Sequence, residues 1–245
     1  MTLSDDRLLD GRVRLAQPAA GYRVSIDSVL LAAAVPAESG QRALDLGCGV
    51  GAAGLCLLAR APDLRVVGVE LNLAMARLAA ENGKANGHEG ERYQARCADV
   101  RALDDLPVDF DHVLMNPPFH DPKATPSPDN AKAFATHAGE DLTTWVEAAH
   151  RRLKHRGGLT LIWPAARLSH AMTALSKRFG GIALAPIWPR AGAPAKRVLI
   201  HAVKESRAPD SVKPGLVLHA DGNSYTEAAR AILWDAQAFD WEGGA

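Results

Sequence analysis

The sequence predicts an α/β fold, a doubly wound and mostly parallel sheet with helices on both faces. Three observations carry this. Short apolar runs of strand length alternate with segments whose apolar residues recur at helical spacing. The first strand of the alternation ends in a glycine-rich run, Asp45-Leu46-Gly47-Cys48-Gly49-Val50-Gly51, that opens a helix. The last two strands, 182–187 and 197–203, lack a helix between them, so one of the pair runs antiparallel.

The elements follow in order. Residues 12–16 and 22–24 read as short extended pieces around a turn at 17–21. Ser25 or Asp27 can cap a helix over 28–35, which Pro36 to Gly40 breaks. Strands are expected at 42–46, 65–70, 92–97 and 110–115. Helices are expected at 50–60 and at 71–86, where Gly87 stops the second. Residues 119–140 are expected to be a long polar loop with prolines at 122, 126 and 128, and loops of that length in compact domains are usually functional or mobile. A helix at 142–154 closes at Gly157-Gly158. A strand at 159–163, a helix at 168–179 and the final strand pair bring the sheet to seven strands. A short strand at 216–219 and a helix at 225–234 end the chain. The whole, 1–245, reads as a single domain. It has an N-terminal hairpin and helix extension (1–40), a core (41–205) and a C-terminal strand and helix (206–245).

The bulk numbers set limits. Apolar residues make up 47% of 245, which suits a packed core, and no apolar run is long enough to span a bilayer. Residues 1–10 are acidic and polar, unlike a secretory signal. Cys48, Cys56 and Cys97 form no paired motif. That argues against a zinc site or disulfide framework, and for a reducing cytoplasm. Oligomeric state leaves no mark. The formal net charge is zero, but residues 1–115 hold 12 Lys and Arg against 16 Asp and Glu. Between Ala149 and Lys213 there are 13 basic residues and only Glu205 and Asp210 as acids. Such a stretch is either a set of solvated helix faces or a polyanion-binding face.

Two motifs carry chemistry. A strand that ends in Asp-x-Gly-x-Gly-x-Gly brings bare backbone close to a ligand, where a Cβ would block the approach. An ordinary turn into a helix would use the same residues. However, the next strand ends in Glu70, whose carboxylate can accept two ribose hydroxyls. That acid alone also fits NAD, but the glycine spacing departs from GxGxxG. Glu70 could instead serve the following helix dipole. Asp99 follows the third strand and could simply cap the turn at 100–103. The second motif is Asn116-Pro117-Pro118-Phe119, directly after the fourth strand. It reads as a plain turn or as a pair of acceptors: the Asn116 side-chain oxygen and the Pro117 carbonyl, held in place by Pro118. His120 and His137 flank it and are taken as polar surface, and Trp163 and Trp188 as core.

Together these runs resemble class I S-adenosylmethionine-dependent methyltransferases, in the branch that methylates exocyclic amino nitrogens. The segment Tyr22-Arg23-Val24-Ser25-Ile26-Asp27-Ser28-Val29-Leu30-Leu31 and the tail Gly222-Asn223-Ser224-Tyr225-Thr226-Glu227-Ala228 narrow the resemblance. It becomes one to the bacterial tRNA(Val) adenine N6-methyltransferases, over nearly the whole chain. The resemblance implies a seven-stranded Rossmann-like sheet and S-adenosylmethionine as cofactor. It places Asp45, Gly47, Cys48, Gly49, Gly51, Glu70, Leu71, Asp99, Val100 and Asn116 around that cofactor. Asp99 would accept from the adenine amino group, and Arg23, Ser25 and Asp27 would lie near the methionine end. Asn116, Pro117, Pro118 and Phe119 would form the catalytic motif, with Phe119 stacking on the base. An RNA partner, tRNA by this resemblance, would meet Phe119, Lys123, Lys132, Lys196 and Arg197. No metal and no membrane are implied. Ribosomal RNA guanine N2-methyltransferases and glutamine methyltransferases of release factors share the central motif, and a non-catalytic RNA-binding subunit would share only the fold. His120 matches the first rival.

Overall fold

The computed structural model describes residues 2–21, 23–118, 142–222 and 224–243. The chain opens with an antiparallel hairpin of β1 (Leu3–Leu8) and β2 (Val13–Pro18). Its turn lies at 9–12 rather than 17–21. Leu9 (φ 52°), Asp10 (φ 53°) and Gly11 (φ 87°) are all left-handed there. The sequence hid β1 because Ser4-Asp5-Asp6-Arg7 lacks the β-branched and aromatic residues that favour strands. Residues 23–24 form no strand. Among the described residues no strand neighbours the outer edge of β2, and two asparagines one helical turn apart take its place. Asn82 accepts from Ala16 N and donates to Ala16 O, both at 2.9 Å. Asn86 does the same for Arg14 at 2.8 and 2.7 Å. A bare ladder edge is thereby paired with side chains.

The large sheet contains β3 (Arg42–Leu46), β4 (Arg65–Glu70), β5 (Tyr93–Cys97), β6 (Phe110–Met115), β7 (Leu153–Pro164), β8 (Phe179–Arg190) and β9 (Arg197–Lys204). Its order is β8-β9-β7-β6-β3-β4-β5, with β9 antiparallel to both neighbours and the other pairs parallel. This is the expected seven-stranded sheet. Two further short strands, β10 (Ser211–Val212) and β11 (Leu216–His219), extend it along the outer edge of β8. They are separate pieces because Pro186 lies between their partners and offers no N–H.

Six helices are described. They are α1 (Ile26–Ala34), α2 (Ala52–Arg60), α3 (Leu73–Ala85), α4 (Leu142–Arg152), α5 (Leu168–Leu175) and α6 (Glu227–Leu233). The strands alternate strictly. Ala43 and Leu114 pack with α1, α2, α3 and α6, while Leu44, Leu46, Val113 and Met115 pack with α4 and α5. Each face of the sheet therefore has its own apolar core, as a doubly wound sheet requires. Among the described residues no helix is long and apolar enough to cross a membrane.

The right-hand strands differ from expectation. α4 stops at Arg152, α5 stops at Leu175, and β7 and β8 begin earlier than 159 and 182. Gly157-Gly158 does not end a helix. It lies inside β7, where a Cβ on Gly158 would come 2.6 Å from His201 Cε1. The residues before it form a bulge, since Leu153 pairs with Phe110 and Gly158 with His112.

Candidate active site

The chain builds β3, β4 and β5 outward in one direction, then returns to lay β6 on the other side of β3. A reversal of this kind opens a crevice at the carboxyl ends of the strands. Both motifs lie there. Leu46 pairs with Met115, so Gly47 and Asn116 continue from neighbouring strands about 4.8 Å apart. Pro117 is buried, Asn116 partly buried and Pro118 exposed. Pro118 fixes the segment from the solvent side, and Pro117 is held by packing.

The glycine run makes a tight path. Gly47 (φ 71°), Gly49 (φ 56°) and Gly51 (φ 90°) are left-handed, and Gly51 begins α2. They serve different ends. A Cβ on Gly47 would lie 2.7 Å from Trp145 Cη2, and one on Gly51 would lie 2.4 Å from Tyr93 Oη. Gly49 alone faces open space. It is the glycine whose bare backbone a ligand can approach. Gly47 N and Cys48 N both donate to Val69 O. The Cys48 side chain is buried against Gly68. Burial raises its thiol pKa well above the usual value, with the charges of Asp45 and Glu70 adding to this. The thiol therefore packs and does not react.

Glu70 ties the loop to the next helix. It accepts from Gly49 N at 3.0 Å and from Asn72 N at 2.8 Å. A carboxylate offers about four acceptor positions, so two hydroxyls can still be accommodated. Asp45 is buried and accepts from Gly54 N at 3.1 Å. Burial pushes its carboxyl up to about 7 and the Glu70 charge adds, against the Gly54 N–H. Leu71 is half-buried and Val100 buried at the following two strand ends. Asp99 accepts from Arg101 N at 2.8 Å and pairs with the Arg101 guanidinium. The capping role is thus real, and Asp99 follows the carboxyl end of β5, the edge strand on that side.

Three residues expected near the cofactor are held from the other side. Ser25 caps α1, accepting from Asp27 N. Arg23 donates to both carboxylate oxygens of Asp6 in β1. Asp27 accepts from Arg197 Nε at 3.0 Å. Arg197, expected to face RNA, therefore anchors the first turn of α1, while Lys196 beside it is exposed. Phe119, His120, Lys123, Lys132 and His137 lie outside the described residues. Within the basic stretch that starts at Ala149, two of the four cations at the end of α4 are taken up inside the fold. Arg152 is buried against Leu106 O at 2.6 Å, and Lys154 pairs with Asp111 at 2.8 Å.

Sequence reasoning missed Tyr93 and Trp145. Tyr93 fills a slot whose walls are Gly51, Gly54, Gly68 and Gly83. Its signal was four glycines on separate elements, which align only after folding. Asn82 also donates to Val50 O at 2.9 Å, so one buried amide joins hairpin, helix and glycine loop. The spacing of Asn82 and Asn86 was the available clue. Among the described residues no group of three or more His, Cys, Asp or Glu could hold a metal ion.

Comparison with known proteins identifies the family. The methyltransferase small domain family matches residues 20–186, well over half of the chain. A tRNA1(Val) (adenine(37)-N6)-methyltransferase from Aeromonas hydrophila is 29% identical over 84% of this chain and 86% of its own. One of the same name from Tolumonas auensis is 33% identical, over 60% of this chain and 62% of its own. Among solved structures, a predicted O-methyltransferase from Agrobacterium tumefaciens has a TM-score of 0.73 at 27% identity, covering 86% of this chain and 97% of that one. A Thermus thermophilus 16S rRNA N2 G1207 methyltransferase shares the fold, with a TM-score of 0.57 at 22% identity over 83% of this chain and 50% of that one. The open approach at Gly49, with Glu70 beside it, suits the ribose of S-adenosylmethionine. The chain belongs to the methyltransferase small domain family and is an S-adenosylmethionine-dependent methyltransferase.

Proposed function

We propose that this enzyme methylates the exocyclic N6 amine of the adenine next to the anticodon, position 37, of valine tRNA, in the cytoplasm. The observation that carries the reading is the position of Asn116 and Pro117 beside the glycine loop, joined by the names of the relatives. S-adenosylmethionine supplies an electrophilic methyl carbon on a sulfonium.

The chain's own groups address the nucleophile. An amine on an aromatic base is weakly nucleophilic because its lone pair is delocalised into the ring. The Asn116 side-chain oxygen and the Pro117 carbonyl each accept one N–H of that amine. Two acceptors set apart in this way favour a tetrahedral nitrogen and free its lone pair. The interaction strengthens as positive charge develops on nitrogen, so it stabilises the transition state more than the ground state. An oxygen nucleophile would have no use for two acceptors, which favours N- over O-methylation. The proton then leaves to water, because the methylated nitrogen is strongly acidic until it does so. On the cofactor side, Glu70 takes the ribose hydroxyls, Asp99 with Leu71 and Val100 the adenine, and Asp45, Gly47, Cys48, Gly49 and Gly51 shape the approach. Ser25 and Asp27 flank the methionine end, with Arg23 behind them. Phe119 supports the base, and Lys123, Lys132 and Lys196 attract the RNA.

The test is transfer of labelled methyl from S-adenosylmethionine to total RNA of a strain deleted for this gene, followed by nucleoside analysis. N6-methyladenosine in the tRNA fraction is the expected product. N2-methylguanosine in ribosomal RNA would overturn the reading.

A further inference from the structure

We infer that the RNA backbone crosses the sheet from Asn116 toward β8, over a row of cations at the strand ends, and leaves the basic cluster after α4 untouched. This rests on the proposed RNA substrate. Between Gly157 and Lys204 the chain holds seven Lys and Arg and no Asp or Glu. Folding sorts six of these residues to opposite ends of the strands. Lys204 and Arg178 go to the far end, where Lys204 donates to His150 O and Leu153 O, and Arg178 pairs with Glu147. Arg167, Lys196, Arg197 and Arg190 go to the end that carries Asn116.

Their order is fixed by hydrogen bonds. Arg167 closes the short turn (Ala165–Arg167) after β7, the strand next to β6. Ala165 N donates to Lys196 O at 3.1 Å, which sets that turn beside the start of β9. Lys196 N donates to Ile187 O at 3.2 Å, which sets β9 beside the end of β8. Arg190 ends β8, and its guanidinium bonds to Ala220 O and Gly222 O, at the tail before Tyr225-Thr226-Glu227. With strands about 4.8 Å apart, the row runs roughly 14 Å from Asn116 to Arg190. Among the described residues one acid lies within it, Asp27, and it is paired with Arg197. Asp221 lies beyond Arg190, in the tail.

The other direction from Asn116 leads to carboxylates: β4 and the segment after β5 end in Glu70 and Asp99, the latter paired with Arg101. A polyanion is therefore pushed off the cofactor half and drawn along the β7–β9–β8 ends. The same path brings it to the tail segment, which anchors to Arg190.

The test is filter binding of tRNA over a salt series, with S-adenosylmethionine affinity measured alongside. Each phosphate contact contributes about −0.7 to −0.9 to the slope of log affinity against log salt. The variant Arg167→Gln, Arg190→Gln, Lys196→Gln should be shallower by about 2 and should keep its cofactor affinity. Lys196→Gln alone, at an exposed position, should be shallower by about 0.7 and guards against a folding defect in the triple variant. Arg151→Gln with Arg156→Gln, on the far end, should match wild type. A wild-type slope in the Lys196 and triple variants, or a loss confined to the Arg151 and Arg156 variant, overturns the path. If the wild-type enzyme still methylates tRNA in that event, only the path fails. If wild type neither binds nor methylates tRNA, the proposed substrate fails with it.

Discussion

The β3–β4–β5 half of the sheet ends in glycines and acids, whereas the β6–β7–β9–β8 half ends in an amide, prolines and cations. In the first half, space is the scarce quantity. Gly47, Gly51, Gly54 and Gly68 are small because Trp145, Tyr93 and Cys48 occupy the room beside them. Of the glycine run, only Gly49 faces open space. In the second half, charge is the scarce quantity, and it is placed by strand alignment. A small-molecule site is thus written in adjacent residues, and a polymer site in residues far apart in sequence.

The sharpest way to break this division is at its boundary. Asn116→Ala should lower turnover by 10²-fold or more, about 3 kcal/mol, while cofactor affinity stays within a few-fold. Single-turnover kinetics with calorimetry checks it, and parallel losses of both would place Asn116 on the cofactor side. Next come the two glycines. Gly47→Ala meets both a left-handed backbone and Trp145, and should cost about 2–4 kcal/mol in denaturant unfolding. Gly49→Ala should cost about 1 kcal/mol for the left-handed backbone yet weaken cofactor binding more than Gly47→Ala does in the folded protein. Equal stability losses would show that the two glycines do the same job.

The halves should also respond oppositely to pH. The folded Asp45 carboxyl keeps its proton up to about 7, against 3.8 for the ordinary value. Its contribution is full below the lower value and is lost as pH rises to the upper. Burial lowers His112 and His201 to about 4 from 6.5, with His112 also repelling the proton on His201. Their contribution is full above 6.5 and is lost as pH falls toward 4. Asp45→Asn should therefore help stability more at about pH 8 than at about pH 5, and His201→Asn should reduce the loss on acidification. Melting curves at both values decide, and shifts of the same sign would contradict the assignment. The smallest effect belongs to Lys154→Ala, an exposed pair with Asp111. It should cost under about 1 kcal/mol and leave tRNA affinity alone.

Much of this was legible in the sequence. β3, β4 and β6 lie where apolar runs placed them, and Ser25 caps α1. Their signals are local: a β-rich run, a glycine turn, a capping side chain. What was not legible depended on distant partners. β1 is a strand because β2 pairs with it, despite its acidic composition. Gly157-Gly158 reads as a helix stop until His201 is seen against it. The basic run from Arg151 to Arg156 reads as a polyanion site until Asp111 and Leu106 take two of its cations. Arg197 reads as an RNA contact until Asp27, 170 residues earlier, is found bonded to it.

The most direct measurement is methylation of a valine tRNA transcript by the purified enzyme, with adenine 37 present or replaced by guanine. The expected result is one methyl group per transcript at N6 of that adenine, and none on the replaced transcript. Undiminished methylation of the replaced transcript would contradict the central assignment.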